Sequence, residues 1–232
     1  MKLSKATLEV LKNFAEINTC FIFNRDKLGY MATASESKAT LGFYDLPEGE
    51  KEIPEFVVYD LTNLNAILSE FIDDPDMDID FQDKRMIIKT KTTKLTYYYS
   101  SKELIESQFQ SPSKTTQKLE TSATFKLSPE NLARILNMAD LLACDHIIFT
   151  VKNNMVIASV KDVNNPSSNG ADFLIGQNGL ANGMEDTFII HKKDLHLMTK
   201  KTYDVFIYGK RAISFVDEAE KRLTYFVAQV SK

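Results

Sequence analysis

Tryptophan is absent from the 232 residues, cysteine occurs twice, and glycine and proline occur only eight and six times. Two cysteines, Cys20 and Cys144, exclude a disulfide-stapled scaffold and point to reduced, buried thiols in a cytoplasm. With glycine this scarce there is no GxxxxGK[ST] or GxGxxG phosphate loop, and no GxSxG nucleophile elbow either. No stretch approaches 18 uninterrupted apolar residues, so no membrane-spanning helix is expected. The opening MKLSKATLEVLKNF carries charges every few residues and lacks the apolar region of a signal peptide. Nor is there an excess of positive charge: 28 Lys plus Arg stand against 32 Asp plus Glu, a net −4. This excludes a chain that coats nucleic acid by bulk basicity. Hydrophobic residues at 44% and charged residues at 26% exclude a disordered chain. A soluble, intracellular protein of one large or two medium domains is expected.

Catalytic and metal chemistry is equally hard to find. The run Asp74, Asp76, Asp78, Asp80 imitates a calcium loop, but its glycine position is Ile79 or Phe81 and its bidentate glutamate position is Arg85 or Ile87. His191 and His196 are five apart, off the i, i+4 spacing that lets two imidazoles share a metal on a helix. His146 reads as an ordinary strand residue. Cys20 and Cys144 occupy matching positions in a repeat, described next, which favours packing over nucleophilic catalysis. No enzyme, no metal and no cofactor is expected.

What is present is a duplication. Residues 2–20 lie over 126–144 without a gap, and seven of the 19 positions are identical: Lys2/Lys126, Leu3/Leu127, Ser4/Ser128, Leu8/Leu132, Asn13/Asn137, Ala15/Ala139 and Cys20/Cys144. The order then holds: YMATA (30–34) with VIASV (156–160), FVVYDL (56–61) with FIIHKK (188–193), DFQDKRMIIK (80–89) with FIYGKRAISF (206–215), and KLTYYY (94–99) with RLTYFV (222–227). The expected organisation is a first domain over 1–100, a connector over 101–123 and a second domain over 124–232. The link around 100–123 holds six Ser and one Pro and lacks clear periodicity.

Each copy reads alike. Ser4 is an N-cap candidate for a helix with Leu8, Leu11 and Ala15 on one face. Strands follow at 20–24, 29–34, 39–44 and 55–59. A second helix starts near Asp60 with Leu61, Leu64, Ile67, Leu68 and Phe71 at helical spacing, and strands close the copy at 77–82, 85–91 and 94–99. The second copy is expected to have a helix at 128–143, strands at 146–151 and 155–160, and a loose Asn/Ser/Gly stretch at 162–183. A strand at 187–191, a short helix at 192–200 and strands at 204–208, 212–216 and 222–228 complete it. The fold class is therefore α+β, with two similar domains each placing two helices on antiparallel sheet.

Charge is segregated. Residues 45–83 hold thirteen acids and one base, Lys51, whereas 84–94 hold five bases and no acid. Those five read mainly as solvated sheet face. Lys192, Lys193, Lys200 and Lys201 cluster in 188–201, and the helices add Lys2, Lys5, Lys12 and Arg134. On a helical wheel Arg134 points away from Leu132, Ile135 and Ala139, and Lys5 and Lys12 flank the apolar stripe. One reading is solvated surface; the other is a helical surface that touches phosphates without reading bases.

The segments Met1–Lys5, Leu11–Ala15 and Ile17–Asn18, with Tyr59–Leu61 and Ile67–Ser69, resemble the sliding DNA clamps of T-even-type bacteriophages. The order of helices and strands resembles that family over the whole chain, with literal identity concentrated in the first half. The resemblance implies the duplicated sliding-clamp fold and a homotrimeric ring encircling double-stranded DNA. It also implies tethering of the replicative DNA polymerase, loading by an ATP-driven clamp loader, and work with late-transcription factors, all in a host-cell cytoplasm. The ring lining it assigns is Lys5, Lys12, Arg134, Lys192, Lys193 and Lys200, with Lys2 and Lys201 as further candidates. The helix at 61–72 has no base and contains Glu70, so the lining is asymmetric between copies. Partners of clamps insert a peptide with apolar anchors beside the connector. Here that points to Leu104, Ile105, Phe109 and Leu119 with Tyr225, Val227 and Val230, residues whose alternative role is to pack the connector onto the domains. The competing functional classes are a structural or adaptor protein on the same duplicated fold, and a single-strand binder using Tyr97–Tyr99, which the acidity weakens.

Overall fold

The structure, a computed structural model, describes residues 1–106, 120–165, 167–180, 185–209 and 211–230. The chain divides into two compact units, Met1–Lys114 and Thr115–Lys232.

Unit 1 begins with α1 (Lys5–Ile17), whose Ser4 Oγ accepts from the Thr7 N–H at 3.1 Å. Such a cap contributes about 1 kcal/mol. The buried Glu50 carboxylate accepts from the Ser4 N–H at 2.7 Å, placing negative charge at the positive end of the helix dipole. Leu8, Val10, Leu11, Phe14 and Ile17 form the buried stripe. Strands β1 (Phe21–Phe23), β2 (Tyr30–Ala34), β3 (Thr40–Asp45) and β4 (Phe56–Val58) follow, pairing antiparallel as β1–β4 and β2–β3. Gly42 marks where β3 passes close to α1, since a Cβ there would lie 2.9 Å from the Phe14 ring. Next comes α2 (Leu61–Phe71), capped by Asp60 and packed on α1; Asn65 Nδ2 donates to the Leu11 carbonyl at 2.9 Å across the seam. The unit closes with the antiparallel sheet β5 (Asp78–Phe81), β6 (Arg85–Lys89), β7 (Lys94–Tyr98) and with α3 (Lys102–Glu106). Phe23, Phe81 and Tyr99 all stack on Phe56, at 4.7, 5.6 and 5.2 Å between ring centroids.

Unit 2 repeats the plan with two four-stranded antiparallel sheets. One sheet is formed by β8 (Ala123–Leu127), β13 (Tyr203–Tyr208), β14 (Ala212–Asp217) and β15 (Leu223–Ala228), ordered β8-β13-β14-β15. The other has β9 (His146–Lys152), β10 (Met155–Lys161), β11 (Gly170–Gln177) and β12 (Asp186–His191), ordered β11-β10-β9-β12. Between β8 and β9 runs α4 (Pro129–Leu141), capped by Ser128 and opened by Pro129 at its first position. It packs Leu132, Ile135 and Ala139 inward against β9, β10 and β11.

Two local expectations are corrected. The stretch 162–183 is not uniformly loose, because Gly170–Gln177 is strand β11 on the outer side of β10. The helix expected over 192–200 is only a 3₁₀ turn at Lys192–Asp194. Leu195 and Leu197 are both buried, and two residues apart on a helix they would face opposite sides; the chain runs irregularly instead. The connector, whose sequence lacks clear periodicity, begins with α3, which rests on β4.

Candidate nucleic-acid interface

Position and packing sort the candidate cations. Lys5 and Lys12 project from α1 into solvent, seven residues apart and so on one face. Glu9 and Glu16 share that exposed stripe, which therefore reads Lys, Glu, Lys, Glu. Lys5 forms an ion pair with Asp73, just beyond α2, and Lys12 pairs with Glu9 at 3.0 Å. In unit 2 the Arg134 guanidinium lies 5.4 Å above the Phe173 ring, which steers it over β11 without neutralising it. Lys192, in the 3₁₀ turn, reaches back to Asp140 on α4. Lys193 and Lys200 are exposed, and among the described residues neither forms an ion pair. The two further candidates are tied into the fold. Lys2 donates to the Pro75 carbonyl at 2.8 Å, and Lys201 pairs at 2.8 Å with Asp217, whose side chain is 4% exposed. The α2 surface carries no base.

The apolar candidates separate more sharply. Ile105 is fully buried in a cluster with Cys20, Ile22, Ala34 and Val57, so it is a core residue. Tyr225 and Val227 are likewise fully buried in β15. Leu104 is about half exposed, and Val230 is partly exposed, its N–H donating to the Ile189 carbonyl at 2.9 Å. Phe109 and Leu119 lie outside the described residues.

No group of three or more His, Cys, Asp or Glu side chains is arranged for a metal among the described residues. The aspartate run has other work: Asp78 pairs with the Met1 amine at 2.7 Å, Asp76 with Lys91 at 2.9 Å, and Asp80 accepts from Gln82. That amine, by hydrogen bonding, holds the Asp78 carboxyl below its ordinary range. Both cysteines are buried and neither is in a disulfide, and burial pushes the Cys20 thiol up. No helix among the described residues is long and apolar enough to cross a membrane.

Sequence reasoning missed two features. His146 and His191 stand opposite each other in the β9–β12 register with ring centroids 4.5 Å apart. Burial, and then the neighbouring imidazole, lower the pKa of His146. It also missed the carboxylates of Asp73 and Asp140, which hold two of the candidate cations. Neither could be seen in a chain where the partners are so far apart.

This arrangement can offer a duplex a few side-chain cations on helical elements, without base-reading geometry. Comparison with known proteins gives it a context. The chain is 28% identical over 183 residues to the sliding clamp of Vibrio phage KVP40, covering 76% of this chain and 78% of that protein. It is also 28% identical over 158 residues to the sliding clamp of Escherichia phage RB69, covering 68% of this chain and 65% of that one. Among solved structures, the A. fulgidus PCNA bound to the C-terminal region of FEN-1 matches with a TM-score of 0.71 at 14% identity. That match covers 97% of this chain and 95% of the other, and it shows a shared fold. No family model matches the chain.

Proposed function

We propose that this chain, which has the duplicated sliding-clamp fold and phage sliding clamps as relatives, is itself a sliding clamp: it encircles duplex DNA and tethers the replicative polymerase. The observation that carries this reading is the relationship to the Vibrio phage sliding clamp over 76% of the chain. A ring holds DNA by topology, so its phosphate contacts can be weak enough to slide while release requires opening. The net charge of −4 keeps the protein from clinging to DNA. Sparse cations on α1, α4 and the turn at 192–194 supply sequence-independent contact. The chain works as a scaffold without chemistry of its own. An ATP-driven loader opens and closes it, and late-transcription factors use it as the polymerase does, in a host-cell cytoplasm.

Ring closure has support in the strand edges. The outer edge of β5 is taken by Met1, that of β12 by Val230 and that of β4 by Ser100. Among the described residues β7 bonds along its length only to β6, and β11 only to β10. These two open edges, one on each unit, allow β7 of one copy to pair with β11 of the next, a head-to-tail contact that closes into a trimer. Partners seat an apolar anchor near Leu104, which is about half exposed.

Light scattering at micromolar concentration should give a mass near three times 26.4 kDa. After loading, the protein should stay on closed circular DNA and run off linear DNA. A monomer at all concentrations, or equal retention on both DNAs, defeats the reading. Lys192→Glu with Lys193→Glu should impair processivity and leave the trimer intact; unchanged processivity removes both from the lining.

A further inference from the structure

Two of the cations on the helical elements are held by acids. Lys5 is held by Asp73 and Lys192 by Asp140, each time across two helical elements of one unit, while Lys193 and Lys200 stand exposed without an acid partner among the described residues. The acids are the more exposed partners: the Asp140 side chain is 69% exposed and Asp73 is 75% exposed. Their carboxylates therefore share the surface that a phosphate would approach.

Exposed ion pairs of this kind contribute only about 0–1 kcal/mol, so a phosphate can displace the carboxylate. The displacement nonetheless changes what binding yields. A free lysine that meets DNA releases a condensed counter-ion and steepens the salt dependence by about 0.9 per contact. A lysine already paired with aspartate exchanges one anion for another, and the displaced carboxylate remains beside the phosphate and repels it.

We infer that Asp73 and Asp140 are built-in counter-ions that weaken the grip of Lys5 and Lys192 on the DNA backbone and so keep the clamp mobile on duplex. This rests on the sliding-clamp reading and adds a positioning role for two acids. The placement differs between units. Asp73 follows α2 and reaches the start of α1, whereas Asp140 lies near the end of α4 and reaches the turn that follows β12. The tethers therefore act at opposite ends of the leading helices.

The test uses the full chain and a duplex of about 30 base pairs, long enough to contact several phosphates at a spacing of about 1.7 Å per charge. Its affinity is followed by fluorescence anisotropy as salt is raised. Asp73→Asn with Asp140→Asn removes two charges; Glu52→Gln with Glu220→Gln removes two from exposed sites elsewhere and serves as the control. The aspartate pair should tighten binding at low salt relative to the control. It should also lose about tenfold more affinity between about 50 and 200 mM salt, the effect of two added phosphate contacts. Tracked after loading on stretched DNA, it should diffuse more slowly than the control. Equal behaviour of the two double variants overturns the counter-ion role. Lys193→Glu with Lys200→Glu tests the underlying reading separately. If that pair abolishes salt-dependent binding while the aspartates change nothing, only the counter-ion role falls. If neither pair changes binding, the helical faces are not the DNA surface and both readings fall.

Discussion

Leu8 and Leu132 occupy the same point of the repeat and both are buried; Lys5 and Pro129 also occupy one point and share nothing. Lys12 likewise stands where the second copy has Leu136, and Arg134 where the first has Val10. Lys192 corresponds to Asp60, which caps α2 by accepting from the Asn63 N–H at 2.9 Å. Packing therefore holds the two units to one pattern, while charge is distributed in each independently. A shared core sets where the helices lie. Which side chains they show to solvent is free to vary, because exposed charges contribute little to stability.

The largest test of this contrast is in the core. Leu8→Ala and Leu132→Ala should each cost about 3 kcal/mol in urea unfolding, since both remove a fully buried side chain from the inward face of a helix. A cost under about 1 kcal/mol at one site would show that the two cores are not equivalent. Next comes a device of unit 1 at a position where unit 2 has Ile148. The buried Asn24 side chain donates to the Lys51 and Ile53 carbonyls at 3.0 and 2.7 Å and accepts from the Gly29 N–H at 2.9 Å. Asn24→Ala should cost about 2 kcal/mol by leaving these groups unpaired, and raise hydrogen exchange of the Gly29 amide.

A third test separates the units by acid. His146 stands where unit 1 has Ile22, and its pKa is lowered by burial and by His191. Asp145 and Asp162 oppose that shift. A lowered folded pKa means that stability is fully present above the unfolded value of about 6.5 and is lost as pH falls through the folded one. The melting temperature should fall as pH is lowered from about 7 to about 5, and His146→Ile should flatten that interval. The same slope in the variant assigns the effect elsewhere. The smallest effect is at the caps: Ser4→Ala and Ser128→Ala should each cost about 1 kcal/mol in thermal unfolding. Ser4 should cost the more, because its hydroxyl also meets the Thr7 hydroxyl at 3.1 Å.

Much of this was legible in sequence where local periodicity carried it. The apolar spacing of Leu8, Leu11, Leu132 and Ile135 marks α1 and α4, and the serines before them mark where each begins. The strand GADFLIGQ was not legible: its apolar residues are consecutive, without alternation, and glycines flank them, yet pairing with β10 outweighs weak propensity. The turn at 192–194 was misjudged because charged residues mask the two-residue spacing of Leu195 and Leu197. Of the candidate site, the lysines were visible as a cluster, but their partners were not. Lys192 and Asp140 lie 52 residues apart and are joined only by the fold. Ile105 and Val227 read as anchors for a partner because hydrophobicity alone does not say which side of a segment faces inward.

Cys20 and Cys144, buried at equivalent points of the two units, leave the described surface without a thiol. A cysteine introduced at Leu141, 79% exposed at the end of α4, would then be the one group there that a maleimide dye meets readily. The natural chain thus accepts one fluorophore per copy at a chosen site without prior removal of its own sulfur.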